Sequence, residues 1–409
     1  MTMALLSVPD GGKKYLALLM SALFAAPVAA QEKVVPKDTF QPYVAAMVNY
    51  DDNLLRRDTN ARAEGGYSDT YKTTLIGLGV EWPIGRQILT ADVKATKVNF
   101  NRFSQLDYNG RDGFVDLNWR VGNHFSGNVG AKYLEALASF ADFPTAELNV
   151  RTVKTVYADG KWQFHPSWRA TAGINNKKYH FDLESQRFNN RSEDTSDVGI
   201  DYLAKSGSFI GLLARRLDGK YDVDNIGPGG VVLRNGYTQD SLNININWLA
   251  SGVTQVTFLG GYAKRKHDSN SLRDVNGAQG RLIANWTPRA SVKVVGAVWR
   301  EFSASEGVFV NSAIATGASV DAAWLITSKI NVNGQLRTEK RDFEPLPGVP
   351  IFSDLTDNTR MATLGVTYEP VRQISLNLNT FHTSRSGSAA AFTNSYRAKG
   401  IGFSASVKF

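Results

Sequence analysis

The sequence predicts an all-β protein, a transmembrane antiparallel up-and-down β-barrel of about 18 strands that follows a cleaved signal peptide. Three observations lead to this prediction. Apolar and polar residues alternate as they do in strands, short turns and longer polar loops follow one another regularly, and the chain ends in an alternating segment with an aromatic last residue. A chain with these features can form a strand meander that closes on itself.

The stretch SLNININWLASG, residues 241–252, shows the alternation most clearly. Leu242, Ile244, Ile246 and Trp248 occupy every second position, and serine and asparagine residues fill the gaps. Because successive side chains of a strand point to opposite faces, this strand has one apolar face and one amide-rich face. It fits either a soluble sandwich, whose apolar face meets a core, or a membrane barrel, whose apolar face meets lipid.

The N-terminal residues have the pattern of a secretory signal peptide. Lys13 and Lys14 precede a short apolar run, and Val28 and Ala30 stand at the −3 and −1 positions of a cleavage site. A membrane anchor is the alternative, but the run is short and lacks a stop-transfer pattern. The predicted segments are therefore a signal peptide, a short periplasmic N-terminal segment and a barrel, at 1–30, 31–39 and 40–409.

The composition is compatible with one barrel domain. The chain has no cysteine, which suits passage through an oxidising periplasm, and no linker or low-complexity block divides it. A hydrophobic content of 43% excludes a helical membrane bundle but not a barrel, whose strands are only half apolar. The net charge of +8 is dispersed and forms no basic run, so we expect no nucleic-acid partner.

Short turns recur along the chain, each preceded by an aromatic or apolar residue. The eight turn segments begin at Trp82, Trp119, Trp162, Leu203, Trp248, Trp286, Leu325 and Tyr368. Nine longer polar stretches alternate with them, at 51–69, 101–112, 139–147, 182–197, 218–240, 265–277, 301–312, 339–359 and 384–396. Eight turns and nine loops in strict alternation predict eighteen strands, with both ends of the barrel segment on the turn side.

Aromatic residues stand at the entrances of these turns, as in the interfacial girdles of outer-membrane barrels. Such rings favour a membrane interface because one edge is apolar while the N–H or O–H needs a polar partner. A soluble propeller would repeat at similar spacing, but its blades need four strands and the repeat here contains two. We predict that Trp299, near the opposite end of its strand, belongs to an outer girdle, and that the turn-side interface girdle consists of Trp82, Trp119, Trp162, Trp248, Trp286 and Tyr368.

The chain ends in the alternating segment IGFSASVKF, whose apolar residues from Ile401 to Phe409 share one face. A strand that ends at an aromatic carboxy-terminal residue resembles the assembly signal of bacterial outer-membrane proteins, so Phe409 is the predicted signal for the barrel assembly machinery. An ordinary edge strand is the alternative, but it would leave an aggregation-prone edge. Closure onto the first strand, near residues 40–49, removes that edge and satisfies the backbone within lipid.

The polar face of the strands is predicted to line an aqueous lumen, because eighteen strands enclose a passage unless something fills it. Such a lining can hydrogen-bond sugar hydroxyls and weakly attract anions, and it is also what any water-filled barrel requires. The loop at 218–240 is the predicted constriction, with a cover over the outer mouth as the alternative. The predicted pore-lining residues are Lys94, Asn118, Arg120, Asn243, Asn245, Asn247, Arg281, Asn285, Asn331, Asn333, Arg337, Asn377 and Asn379.

No arrangement of residues predicts catalysis, a cofactor or a metal site, and we expect the protein not to be an enzyme. The five histidines are scattered without the partners of a zinc site, and no Gly-x-Ser-x-Gly elbow occurs. His180 or His382 with a loop serine leaves an outer-membrane lipid hydrolase as an alternative, although no spacing supports it.

The segment FQPYVAAMVNYDDNLLR, at 40–56, resembles the opening of the EpsL-type outer-membrane β-barrel proteins, which are encoded with exosortase-linked exopolysaccharide operons. In that family the first strand runs into a loop similar to YDDNLLR. The resemblance extends to the overall length, the signal peptide, the hairpin layout and the terminal phenylalanine. By this resemblance the first outer loop would be shaped by Tyr50, Asp51, Asp52, Asn53 and Arg56.

The resemblance implies a bacterial outer-membrane component that exports extracellular polysaccharide, surrounded by outer-membrane lipid and coupled to periplasmic polysaccharide-export proteins. It carries over no catalytic residues. The residues alone predict a large open barrel and no more. A general or sugar-type uptake porin, a lipid hydrolase and a structural or adhesive barrel remain alternatives.

Overall fold

The computed structural model describes residues 39–58, 66–223, 225–226, 232–233, 236–268, 274–304, 312–343, 355–391 and 393–409. Within these residues the chain forms one sheet of 18 strands and a separate two-stranded pair. The pair, β10 (Asn225–Ile226) and β11 (Val232–Leu233), lies in the connection between two strands of the sheet. The predicted signal peptide at 1–30, and all but the last residue of the predicted periplasmic segment at 31–39, lie outside the described residues.

The strands of the sheet are 12 to 16 residues long. A tilted strand needs about 9–11 residues to cross a bilayer, so these strands extend beyond the lipid. They are β1 Phe40–Asp51, β2 Asp69–Ile84, β3 Gln87–Phe100, β4 Tyr108–Val121, β5 Phe125–Leu137, β6 Val150–His165, β7 Trp168–Phe181, β8 Arg191–Leu203, β9 Phe209–Tyr221, β12 Tyr237–Ser251, β13 Thr254–His267, β14 Val275–Arg289, β15 Val292–Ala304, β16 Ser312–Thr327, β17 Ile330–Phe343, β18 Thr356–Val371, β19 Ile374–Ser386 and β20 Tyr396–Lys408.

The sheet is an antiparallel meander that closes into a barrel. Each strand pairs with the next one along the chain, β9 pairs with β12 across the β10–β11 connection, and β20 pairs with β1. In the closing pair Ala45 stands opposite Ser406, and Asn49 stands opposite Gly402. The predicted closure of the last strand onto the first is therefore confirmed, as is the predicted number of strands.

The two ends of the barrel differ in the length of their connections. At one end the strands are joined by two to five residues, and at the other by seven to 17. Gly85 and Gly122 stand in two of the short turns with φ of 62° and 58°, a conformation that costs glycine little. The eight predicted turns and nine predicted loops fall at these connections, which confirms the predicted alternation.

The exposure of the side chains shows whether the apolar face of the strands meets a protein core or lipid. In β12 the apolar Leu242 is 61% exposed, whereas its neighbour Asn243 is only 3% exposed. Ile76, Ile174 and Leu336 on other strands are also highly exposed. A soluble sandwich would bury the apolar face and expose the polar one, so this reversed pattern indicates that lipid covers the outward face.

Helical structure is minor in the described part of the chain. Two short 3-10 helices, Ser104–Leu106 and Glu184–Asn189, lie in loops at the long-loop end. No helix among the described residues is long and apolar enough to cross a membrane.

Candidate channel constriction

The predicted pore-lining residues all lie on the inward face of the barrel. Directly paired residues of neighbouring strands share a face of the sheet, so the register extends the buried polar face of β12 around the whole barrel. The role of these residues in conduction stays a prediction. The residues on this face include Lys94, Asn118, Arg120, Asn243, Asn245, Asn247, Arg281, Asn285, Asn331, Asn333, Arg337, Asn377 and Asn379.

Near the turns, the inward amides form short hydrogen-bonded chains. Asn118 Nδ2 donates to Asn128 Oδ1 at 2.9 Å, and Asn128 Nδ2 donates to Asp159 Oδ2 at 3.1 Å. On the other side of the barrel Asn377 Nδ2 donates to Thr367 Oγ1 at 2.9 Å. Asn118, Asn128 and Asn377 are only partly buried. The turn-side half of the interior therefore presents a polar wall with capacity for further hydrogen bonds.

Trp299 faces the lumen, so its predicted place in an outer aromatic girdle is wrong. It stands opposite Arg281 in the register and is 4% exposed. Its ring centroid lies 4.9 Å from Arg281 Cζ and 4.5 Å from Arg337 Cζ, and its Nε1 donates to Glu339 Oε2 at 3.1 Å. In β15 valines and alanines occupy both faces, so the sequence alternation there does not give the direction of the indole.

The aromatic residues of the predicted turn-side girdle lie on the outward face, close to the short turns. Phe409, which follows β20, is exposed. Their roles at the membrane interface and in assembly stay predictions. Trp119 is partly buried, and the exposed members are Trp82, Trp162, Trp248, Trp286 and Tyr368.

The connection between β5 and β6, at 138–149, folds into the barrel and is called the inward loop here. Its base is closed by a hydrogen bond from Ala138 N to Asn149 O at 2.8 Å, and near its tip Phe143 N donates to Ser139 O at 3.1 Å. The tip contacts side chains of β17 and β19. Because at least six strand positions separate β5 from β19 around the wall, the loop reaches them through the interior.

Phe140 anchors one side of the inward loop to the first outer loop. It belongs to a buried apolar cluster with Leu54, Leu55, Tyr71 and Phe100. The two leucines are the apolar residues of the YDDNLLR segment and are almost completely buried. The segment that carries the EpsL resemblance therefore supplies part of the surface on which the inward loop rests.

The polar residues of the same segment fold the first outer loop. The Asp51 carboxylate accepts hydrogen bonds from Asn53 N at 2.9 Å and from Arg56 Nη2 at 2.8 Å. Asp52 Oδ1 accepts one from Lys399 N at 2.7 Å, which ties the loop to β20. Arg56 has a φ of 53°, a left-handed conformation. These contacts reverse the chain tightly after β1, and the leucines between them enter the interior.

Phe143 anchors the other side of the inward loop to the wall. It packs in a buried cluster with Val153, Tyr179 and Phe181, and its ring meets that of Phe181 at 6.4 Å between centroids and 74° between planes. Edge-to-face contacts of this kind contribute about 0.5–1.5 kcal/mol beyond area burial. The two phenylalanines thus hold the loop from opposite directions.

Asp142, between the two phenylalanines, reaches the far wall. Its Oδ1 lies 3.4 Å from Arg341 Nη1 and 3.6 Å from Arg385 Nη2, and Arg385 Nη1 donates to the Ala141 carbonyl at 2.6 Å. Asp357 contacts both arginines from the wall, with Oδ2 2.5 Å from Arg341 Nη2 and 3.7 Å from Arg385 Nε. We call Asp142, Arg341, Asp357 and Arg385 the charged cluster.

The charged cluster keeps Asp142 ionised. Burial alone would raise the pKa of the Asp142 carboxyl, but Arg341 and Arg385 outweigh burial and hold this pKa below its ordinary value. The Asp142 side chain remains 26% exposed. At neutral pH a partly accessible carboxylate therefore attaches the inward loop to the far wall.

The sequence prediction assigned the constriction to the loop at 218–240. Residues 224, 227–231 and 234–235 of that loop lie outside the described residues, so this prediction is not tested there. The inward loop was missed, although the signal was present: SFADF places two phenylalanines in an outer loop, where apolar rings need a buried partner.

The two histidines of the hydrolase alternative are far apart. His180 on β7 and His382 on β19 both lie on the outward face, at least eight strand positions apart around the barrel. His180 Nε2 is 3.5 Å from Asp182 Oδ1. Within the described residues no group of three or more histidine and acidic side chains is placed to hold a metal ion. The hydrolase alternative needs only one of these histidines beside a loop serine, so their separation shows only that the two do not share one site.

Comparison with known proteins finds similarity to porins. The family described as "Putative beta-barrel porin 2" matches residues 242–409. No curated protein sequence matches the chain. The outer membrane protein OpdK from Pseudomonas aeruginosa is 11% identical to this chain, with a TM-score of 0.46. The alignment covers 90% of this chain and 99% of OpdK.

Two further solved structures give similar values. Pseudomonas aeruginosa OccK2 (OpdF) is 10% identical with a TM-score of 0.49, over 90% of this chain and 98% of that chain. Acinetobacter baumannii OccAB3 is 9% identical with a TM-score of 0.46, over 90% and 99%. The closed 18-stranded sheet and the apolar outward face show a β-barrel that spans the bacterial outer membrane, and its residues 242–409 are similar to the porin family named above.

Proposed function

We propose that this barrel is a gated outer-membrane channel through which extracellular polysaccharide leaves the cell. The observation that carries the proposal is the inward loop, which crosses a polar-walled barrel and meets the far wall through the carboxylate of Asp142. A loop held in this way can separate a closed state from an open one, because breaking a few polar contacts frees its tip. Polymer export needs such a gate, since an open wide barrel would leak small solutes.

The chemistry of the inward face supports a carbohydrate cargo. Amides such as Asn118, Asn128 and Asn377 donate and accept hydrogen bonds, as sugar hydroxyls do, without the strong attraction of a fixed charge. A polymer that must slide needs many weak and exchangeable contacts, because tight binding at one site would stop its movement. The amide chains near the turns provide contacts of this kind.

The EpsL resemblance supports export in particular. Its most distinctive residues, YDDNLLR, bury Leu54 and Leu55 against Phe140 of the inward loop. The resemblance and the candidate gate therefore depend on the same residues. If the family exports polysaccharide, this segment is placed to hold its gate.

Passive uptake of small hydrophilic solutes is the second candidate. It is favoured by the partly exposed polar residues near the turns, such as Asn118 and Asn128, whose accessibility does not depend on movement of the inward loop. Export demands that the inward loop move, whereas uptake of small molecules is compatible with a stationary loop.

Removal of the gene from its host separates the two candidates. We expect a large loss of secreted polysaccharide with unchanged uptake of small sugars, and restoration of secretion by the wild-type chain. Normal secretion with slower uptake would contradict export and support the uptake channel. A matched chain with Phe140→Ala should restore secretion in the same cells while making them more permeable to small solutes, because its gate is released.

A further inference from the structure

The charged cluster contains a carboxylate-binding site that the protein fills with its own side chain. Arg341 and Arg385 contribute two positive charges, and Asp357 and Asp142 contribute two negative ones, so the cluster is balanced only while the inward loop is docked. The two carboxylates are held very differently, and this difference indicates which of them can be replaced.

Asp357 is the permanent partner. Arg341 donates to both of its oxygens, from Nε at 3.0 Å and from Nη2 at 2.5 Å, in the forked geometry that suits a guanidinium. The Asp357 side chain has no exposed surface. The Arg341 guanidinium also lies over the Phe343 ring, with Cζ 5.0 Å from its centroid. These contacts fix one edge of the arginine and leave Nη1 directed towards Asp142.

Asp142 is the replaceable partner. It offers a single oxygen at 3.4 Å from Arg341 and 3.6 Å from Arg385, longer than the 2.7–2.9 Å usual for charge-assisted hydrogen bonds. It stands on a loop and is partly exposed, whereas Arg341 and Arg385 belong to barrel strands and are well buried. A free carboxylate could approach both guanidiniums more closely than the tethered Asp142 does.

Loss of Asp142 would leave Asp357 as the one remaining carboxylate of the cluster beside two guanidiniums. Water can enter when the loop departs, and the excess positive charge then attracts an anion to the same point. Arg385 is held in position by Thr359 Oγ1 at 3.2 Å and by the Tyr396 ring at 5.5 Å from Cζ, so its guanidinium remains in place when the loop departs.

We propose that Arg341 and Arg385 bind the carboxylate of an acidic sugar, which displaces Asp142 and releases the inward loop. This inference rests on the proposed channel function and assigns its substrate class: carbohydrate that carries carboxylates, as uronic acids do. An incoming acidic chain opens the gate because its carboxylate competes with Asp142 for Arg341 and Arg385. A neutral chain cannot compete in this way. The exchange replaces one carboxylate by another, so the cluster keeps its charge balance throughout.

The test records single-channel currents of the purified full barrel in planar bilayers with added tetragalacturonate, and with maltotetraose as the neutral tetrasaccharide. We expect the acidic tetrasaccharide to reach half of its maximal increase in open probability at a concentration about tenfold lower than maltotetraose needs for any comparable increase, the size expected for hydrogen bonds to charged groups. Equal concentrations for both sugars would overturn the assignment. Inorganic phosphate added at the same concentration should not reproduce the effect, and if it does, the site is not selective for carboxylates.

Two variants and one control sharpen the test. Asp142→Asn removes the internal competitor with almost no change in shape, so tetragalacturonate should act at a several-fold lower concentration. Arg385→Gln should abolish the preference over maltotetraose. Lys340→Gln alters an exposed outward lysine on β17, paired with Asp342 at 2.7 Å, and should leave the preference intact. If Asp142→Asn left the acidic sugar no more effective, competition at this site would be disproved even where Arg385→Gln does not fold.

Failure of this inference and failure of the export proposal are distinguishable. The bilayer experiment measures binding by the purified barrel, and the gene-removal experiment measures secretion by cells. Secretion that depends on the chain together with no preference for acidic sugar would disprove only the substrate assignment. A clear preference for acidic sugar together with normal secretion would disprove export and leave the site intact.

Discussion

The two halves of the barrel interior differ in packing although the same strands build both. Near the long loops, inward side chains such as Asp51, Arg191, Arg265 and Asp357 are at most 2% exposed. Near the short turns, some inward side chains such as Asn118 remain partly exposed, although Asp201 and Asn247 are 2% and 3% exposed. The outer half therefore resembles the core of a soluble protein, whereas the turn-side half combines wetted amides with buried polar side chains.

Connection length explains the difference. Connections of two to five residues can only reverse the chain, whereas the connection at 138–149 is long enough to carry phenylalanines back into the interior. A closed barrel of this size has no core of its own between its walls, so any interior packing comes from loops. The strands therefore set the diameter of the barrel and the polarity of its wall, whereas the loops set the width of the narrowest part of the passage.

Removal of the inward loop should have the largest effect on this contrast. We expect replacement of residues 139–148 by Gly-Ser-Gly to raise single-channel conductance several-fold, because the outer half loses the segment that crosses it. Recordings in planar bilayers at fixed salt measure the change. The same three residues inserted into the exposed turn between β12 and β13 are the control and should leave conductance unaltered. Unchanged conductance in the shortened chain would mean that the inward loop does not set the width of the passage.

Phe140→Ala should act in the same direction with a smaller effect. Truncation of a buried phenylalanine costs about 3–5 kcal/mol, and here that loss falls on docking of the inward loop against Leu54 and Leu55. We expect frequent transitions to the high-conductance level in place of a steady closed level. Phe125→Ala, which truncates an exposed outward ring near a turn, is the matched control. A Phe140→Ala channel as quiet as the wild type would argue against a gate held by this cluster.

The sequence predicted the barrel well because its signals are local. The alternation of Leu242 with Asn243, and the eight turns, depend only on residues adjacent in the chain and on the period of a strand. Closure of β20 onto β1 was also predictable, since the bilayer leaves no other place for a terminal strand. For the same reason the inward positions of Asn118, Asn247 and Asn379 followed from strand phase.

The constriction was not predictable because its contacts are distant in sequence. Asp142 meets Arg341, which lies 199 residues further along the chain, and Arg385, which lies further still, and no period connects them. Loop length and glycine content favoured 218–240, but neither property says which way a loop folds. The direction of Trp299 was predicted wrongly for a related reason. Apolar residues occupy both faces of β15, so its sequence does not show which face points inward.

Acid should open the gate with a moderate effect. The pKa of Asp142 is lowered in the docked loop, so docking is fully stabilised above the ordinary aspartate pKa of about 3.9 and weakens as the pH falls through the lowered value. Arginine side chains remain charged over this range, and Asp357 and Glu339 are the other acidic groups that act on Arg341. We expect constant closure from pH 8 to about pH 5 and increasing open time below about pH 4.

Asp142→Asn should show whether acid opens the channel through protonation of Asp142 or through partial denaturation of the barrel. The amide cannot titrate, so the variant should be more open at neutral pH, by roughly fivefold for a partly exposed ion pair worth about 1 kcal/mol. It should also show no further opening between about pH 5 and pH 3.5, a window around the ordinary aspartate value. Single-channel open probability across this pH series measures both quantities. Opening by acid that persists unchanged in Asp142→Asn would assign the response to other carboxyl groups.

Asn118→Ala should have the smallest effect and thereby mark the limit of the packed half. Its side chain donates one hydrogen bond to Asn128 and is only partly buried, so its loss should cost at most about 1 kcal/mol and create no cavity. Water can take its place beside Asn128, which cannot happen beside Phe140. We expect the gating, the response to acid and the resistance of the barrel to thermal unfolding in detergent to stay close to wild type. A large change in gating on this substitution would mean that the turn-side wall and the inward loop are coupled, and the division of the interior into a packed half and a wet half would have to be abandoned.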